Sequence, residues 1–215
     1  MSSYLPGGGI AVSEDDLDAL EARWASCWTP NEVAERLAGI DVPWCVAAGW
    51  ALDLFRGTRI REHGDLEVAV PAARFPEVRE RFAEYVFDAV GDRRIWQDAT
   101  PEALAATHQT WVRDPGTDLY LVDVFREPHD GDVWVCRRDE SIRYPYGADV
   151  ILRSADGIPF LAPEFVLLFK AKAVRDKDQL DFDATVPLMT ARQRARLGEM
   201  LDVVHPGHRW LAALR

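Results

Sequence analysis

Apolar positions along the chain fall into two rhythms, and the changes between them coincide with capping and turn residues. A helical rhythm opens at Ser13, with Asp16 at the third helical position, and predicts a helix to about Cys27. Thr29-Pro30-Asn31-Glu32 combines a capping threonine, a proline suited to the first turn and a glutamate three residues after the cap. It predicts a second helix ending near Gly39. The apolar run Trp44 to Ala47 predicts a buried strand, Gly49 to Arg56 a short helix closed by Gly57, and Leu66 to Val70 the next strand. Phe75 to Glu84 reads as helix, Tyr85 to Val90 as extended chain, and Pro101 to Ala106 as a short helix entered through Thr100.

From His108 the pattern turns to strands separated by turn residues: Thr110 to Arg113, Asp114-Pro115-Gly116, Leu119 to Phe125, Asp130-Gly131, then Val133 to Cys136. After Asp156-Gly157 the chain changes character, with helices expected at about Pro163 to Arg175, Asp178 to Pro187 and Thr190 to Val204, and a short one near Trp210. The expected fold class is therefore α/β (α+β): a mixed sheet flanked by helices over residues 1–157, followed by a small helical domain over 158–215. Residues 1 to 12, with Gly7-Gly8-Gly9, are expected to form a loose tail, and no phosphate-cradling loop is expected there because no strand precedes the glycines and no Lys-Ser or Lys-Thr follows them.

Composition narrows the class. The 215 residues are 48% hydrophobic, enough for a real core, yet no apolar run approaches the roughly 20 residues that span a bilayer. Met1-Ser2-Ser3-Tyr4 lacks the layout of an export signal, so a cytoplasmic protein with no membrane partner is expected. Cys27, Cys45 and Cys136 are odd in number and outside any CxxC spacing, which predicts buried free thiols rather than a disulfide framework or zinc site. A net charge of −11 repels polyanions, making nucleic acid an unfavoured partner and a cationic small molecule a favoured one. The oligomeric state has no signature in the sequence.

The chemistry concentrates in His63-Gly64-Asp65-Leu66-Glu67-Val68-Ala69-Val70. Residues i and i+2 of a strand share a face about 7 Å apart. Asp65 and Glu67 at that spacing can share hard cations such as Mg²⁺, which favours carboxylates, water and substrate phosphates. The pattern points to phosphoryl or nucleotidyl transfer. A third acid, Asp123, sits within the apolar run Leu119 to Phe125, where a carboxylate is costly unless it is paired or metal-bound.

Ala47-Ala48-Gly49-Trp50-Ala51-Leu52-Asp53-Leu54-Phe55-Arg56-Gly57, then Arg61, His63, Asp65-Leu66-Glu67 and Val122-Asp123, resembles the aminoglycoside and lincosamide nucleotidyltransferases of the DNA polymerase β-like superfamily. The stretch from Asp156 through Phe169-Lys170 to Asp181-Phe182 is similar to the same family, so the likeness covers roughly residues 44 to 190. It implies a nucleotidyltransferase fold in which Asp65, Glu67 and Asp123 are the catalytic, metal-binding carboxylates of a two-Mg²⁺ site. Gly49, Trp50, Arg61, His63 and Lys170 are then implied to contact the NTP donor. The implied reaction moves an NMP, with ATP the expected donor, to a hydroxyl of a small molecule such as an aminoglycoside-like or lincosamide-like antibiotic, and the acceptor is expected between the two domains. The family pattern has glycine where Ala48 stands and aspartate where Glu67 stands. These departures keep open the alternative of a catalytically silent nucleotide-binding protein, and a toxin-like nucleotidyltransferase acting on tRNA or protein is the rival enzyme.

Overall fold

The computed structural model describes residues 5–214, so the Met1–Tyr4 segment on which the export-signal expectation rests lies outside the described residues. Up to residue 127 the chain forms β1 (Ile10–Ala11), α1 (Leu17–Ala22), α2 (Pro30–Arg36), β2 (Cys45–Val46), α3 (Ala48–Arg56), β3 (Glu67–Pro71), α4 (Phe75–Arg81), β4 (Val86–Gly91), β5 (Arg94–Trp96), α5 (Pro101–Ala106), β6 (Gln109–Arg113) and β7 (Tyr120–Glu127). There follow β8 (His129–Asp130), β9 (Val133–Val135), β10 (Arg143–Pro145), β11 (Ile151–Arg153), β12 (Pro159–Leu161), α6 (Pro163–Lys170), α7 (Asp176–Thr185), α8 (Ala191–Val204) and α9 (Leu211–Leu214).

The caps behave as their chemistry predicts. Before α2, the Glu32 carboxylate accepts from Thr29 N at 2.8 Å, and Glu32 N donates back to Thr29 Oγ1 at 3.3 Å. Thr190 and Gln193 repeat the exchange at the start of α8. Gly57 closes α3 at φ +70°, a left-handed conformation that suits glycine.

Two compact units emerge, one of residues 1–44 and 63–127, the other of Cys45–Glu62 with Pro128–Arg215. This grouping by compactness differs from the grouping by element type that puts a boundary at 157. In the first unit the strands run β1-β5-β4-β6-β7-β3, with β3 parallel to β7 and the other pairs antiparallel, so its sheet is mixed. Leu66, Val68 and Val70 turn into the core beside Val122 and Val124. That alternation leaves the opposite face of β3 and β7 for Glu67 and Asp123.

In the second unit β12 pairs parallel with β2 and antiparallel with β11, while β8, β9 and β10 form an antiparallel meander. Its core is built on α6, whose Phe165, Val166, Leu167 and Leu168 are buried, with α3 and α8 packed against it. No helix among the described residues is long and apolar enough to cross a membrane.

Two expectations need correction. The helix predicted from Ser13 to Cys27 is a 3-10 turn over Glu14–Asp16 followed by α1, which stops at Ala22. Tyr120 N donates to Arg23 O at 2.7 Å and Trp28 N to Leu121 O at 2.8 Å, so the backbone after α1 is taken up along β7. The tail is not loose from Leu5 onward either. Ile10 and Ala11 pair with Ile95 and Arg94, and Trp96 Nε1 donates to Pro6 O at 3.2 Å. A Cβ on Gly9 would lie 2.5 Å from the Trp96 ring, so the close approach requires glycine there.

Candidate active site

The register of the first unit's sheet sets Asp88 opposite Trp111, Trp111 opposite Asp123, and Asp123 opposite Glu67. Directly paired residues project to the same side of a sheet. One row across β4, β6, β7 and β3 therefore reads acid, tryptophan, acid, acid. Asp65 lies two residues ahead of β3 in a bend, so the strand begins later than the carboxylate pair required for a shared strand face. Asp123 N nevertheless donates to Leu66 O at 2.8 Å, which ties the Asp65–Glu67 segment to β7.

Asp123 is only 2% exposed, while Asp65 and Glu67 are half-buried. Its Oδ2 accepts from Gln109 Nε2 at 2.7 Å, a bond that fixes the carboxylate's orientation from β6. No three His, Cys, Asp or Glu side chains among the described residues converge closely enough to hold an ion together. The donor set nevertheless suits Mg²⁺, since that ion is commonly held by one or two carboxylates with the remaining positions filled by water and substrate phosphates. A site of this kind is completed by the triphosphate.

Two residues near the carboxylates escaped the sequence reading. Gln109 had no signal beyond its place at a strand start. Cys27, expected as a buried thiol, is half-buried, with Sγ 3.9 Å from Gly64 O, whereas Cys45 and Cys136 are buried, and none of the three forms a disulfide. Burial pushes the Cys27 thiol up, and the charges of Asp65 and Glu67 push it further, which puts it in the same electrostatic neighbourhood. His63 is half-buried, two residues before Asp65. Trp96 and Trp134 are core residues, while Trp111, in the same strand row as Asp123, is half-buried beside Trp24 and Tyr120.

The second unit carries the other predicted contacts. Gly49 is buried and Trp50 half-buried in the first turn of α3, and Arg59 Cζ sits 5.1 Å from the Trp50 ring. Ala48, where the family pattern has glycine, stands at φ +47°. The backbone there has kept a glycine conformation under an alanine side chain, a strain of about 1 kcal/mol or somewhat more. Ala48→Gly is accordingly expected to raise stability by about 1 kcal/mol in urea denaturation; a loss of stability would show that the methyl packs more favourably than the strain costs.

Arg61 and Lys170 are both engaged by acids. Arg61 Nη2 meets Asp181 Oδ2 at 2.8 Å, and its Nε lies 3.1 Å from Asp181 Oδ1. Lys170 Nζ lies 2.9 Å from Asp178 Oδ1 and 3.1 Å from Asp181 Oδ2. Asp53 pairs with Arg56 on α3, whose Nη1 donates to Thr185 Oγ1 at 2.7 Å.

Known proteins can be compared with this arrangement. Residues 31–108 match the family model described as Aminoglycoside-2''-adenylyltransferase. The matched stretch contains Gly49, Trp50, Arg61, His63, Asp65 and Glu67. The crystal structure of ANT(2'')-Ia in complex with adenylyl-2''-tobramycin is similar with a TM-score of 0.50 at 12% identity, covering 80% of this chain and 95% of that chain. The two share a nucleotidyltransferase-like fold. The lincomycin-bound structure of the lincosamide antibiotic adenylyltransferase LnuA gives a TM-score of 0.49 at 17% identity, covering 84% of this chain and 100% of that chain. No curated protein matches the chain by sequence.

Proposed function

We propose that the protein is a Mg²⁺-dependent nucleotidyltransferase that moves AMP from ATP to a hydroxyl of a small molecule, with an aminoglycoside-like or lincosamide-like antibiotic as acceptor and resistance as the outcome. The observation that carries this reading is the register pair Glu67 and Asp123, oriented by Gln109, within a chain whose residues 31–108 match an adenylyltransferase family. A net charge of −11 favours a cationic acceptor and disfavours tRNA. A cytoplasmic site of action, where the donor is abundant, belongs to the same reading.

In this mechanism Asp65 and Glu67 present oxygen ligands for the two Mg²⁺ ions. When bound, the metals supply charge neutralisation at the triphosphate and lower the pKa of a bound hydroxyl. Asp123, held by Gln109, is placed to complete the ligand set or to take the proton of the attacking hydroxyl. Glu67 keeps the acidic identity with one methylene more of reach. Gly49 and the first N–H groups of α3 offer donors to phosphate oxygens, since a helix start leaves these groups without intrahelical acceptors.

Because clustered carboxylates and a triphosphate repel each other without a cation, ATP binding is expected to require the metal. Calorimetry should show binding of ATP with Mg²⁺ that disappears with EDTA, and equal affinity in both conditions would overturn the reading. Incubation with each Mg·NTP and a panel of hydroxylated compounds, read by mass spectrometry for an added NMP, separates transfer from silent nucleotide binding.

A further inference from the structure

The most heavily charged interior feature of the second unit is one face of α7. Asp178, Asp181 and Thr185 follow at helical spacing, and all three are buried. Each meets cations from a different segment: Arg175 and Lys170 at Asp178, Lys170 and Arg61 at Asp181, and Arg56 at Thr185. Asp181 is the junction. Its side chain is 0% exposed and receives Arg61 through both Nε and Nη2, a planar, two-toothed grip, while Lys170 Nζ comes from the last turn of α6. Burial alone would raise the Asp181 carboxyl, but the Arg61 hydrogen bonds and the Lys170 charge hold it below the usual carboxylate range.

Stability is a poor reason for such a cluster. Buried ion pairs lose much of their attraction to desolvation, and apolar packing of the same volume commonly does as well or better. Arg61 and Arg175 each bond one of the two aspartates, and Lys170 bonds both. Lys170 Nζ meets two carboxylate oxygens, and an ammonium has three N–H donors. Arg61 and Lys170 retain 15% and 11% side-chain exposure, whereas Asp181 is sealed beneath them. A sealed acid under two partly accessible cations is an orienting base for an anion receptor.

We infer that Asp181 is a positioning residue that presents Arg61 and Lys170 to the polyphosphate of a nucleoside triphosphate. The inference rests on the nucleotidyl-transfer reading and adds to it the acid through which the phosphate-binding cations act. A carboxylate fixes the guanidinium plane and the ammonium tip before the ligand arrives, so less side-chain freedom is lost on binding.

The test is a double-substitution cycle on the full chain, with the affinity for Mg·ATP measured by calorimetry and the melting temperature recorded for each variant. Asp181→Asn is expected to weaken Mg·ATP binding about tenfold, the size of one charge-assisted hydrogen bond. In an Arg61→Gln background most of that penalty should vanish, because the residue through which Asp181 acts has gone. A merely structural role predicts the same penalty in both backgrounds, and that result would overturn the inference. Should Asp181→Asn fail to fold, Arg61→Lys keeps the charge and loses the two-toothed geometry; an unchanged Mg·ATP affinity in that variant overturns the inference equally. Absence of Mg·ATP binding by the wild-type chain removes the transfer reading together with the inference, whereas wild-type binding with an additive cycle removes the inference alone.

Discussion

Asp123→Asn is expected to cut nucleotidyl transfer by at least about 100-fold while the protein stays folded, the factor that a positioned proton transfer commonly contributes. Asparagine keeps the shape of the side chain and removes its charge. The fold should tolerate this because Gln109, which now donates to Asp123 Oδ2 at 2.7 Å, can turn its amide and accept from the asparagine instead. Asp65→Asn makes the informative contrast. If Asp65 holds the triphosphate-bound ion, its loss should weaken metal-dependent ATP binding more than the loss of Asp123 does. Turnover on any acceptor that gains an NMP, together with ATP calorimetry and melting temperature, reads all three quantities. An Asp123→Asn protein with normal melting and unchanged turnover would leave Asp123 as a buried structural acid.

The parts of this fold that were legible in the sequence are those where one short stretch contains its own reason. Pro101–Ala106 and α8 are bounded by their caps, and α3 ends at the glycine that its backbone needs. The carboxylates were legible for a related cause: Asp123 is conspicuous because an acid in an apolar run needs a partner. What could not be read locally is register. Nothing near Trp111 or Asp88 announces that they join Asp123 and Glu67 in one row, since that row is created by pairings between strands far apart in the chain. Two-residue strands such as β1 have no periodicity to detect, so the docked tail looked loose. The resemblance implies Arg61 and Lys170 as phosphate contacts, but their buried partner Asp181 is brought to them only by the packing of α6 and α7.

The row also predicts where the first unit is most easily broken. Asp88 is fully buried, and both its oxygens are in use: Arg113 Nε reaches Oδ2 at 2.8 Å, Tyr120 donates to the same oxygen at 3.3 Å, and Asp98 N donates to Oδ1 at 2.9 Å. Burial and the Asp88 charge both push the Tyr120 phenol up, so it remains a protonated donor. Removing the acid takes the acceptor from the buried tyrosine hydroxyl and leaves Arg113 with the exposed Asp118, whose Oδ1 it meets at 2.9 Å. Asp88→Ala is therefore expected to cost about 3–5 kcal/mol, as breaking a buried pair from one side does. The double variant Asp88→Leu with Arg113→Met should recover much of that loss, because it removes the guanidinium that has lost its buried partner as well as the contact. Urea denaturation of the three proteins decides the matter. A loss below about 1 kcal/mol in Asp88→Ala would mean that water reaches Arg113 as an exposed pair allows. A double variant no more stable than the single one would mean that Asp88 and Arg113 orient β4 against β6 rather than merely neutralise each other, and with them Trp111 beside Asp123.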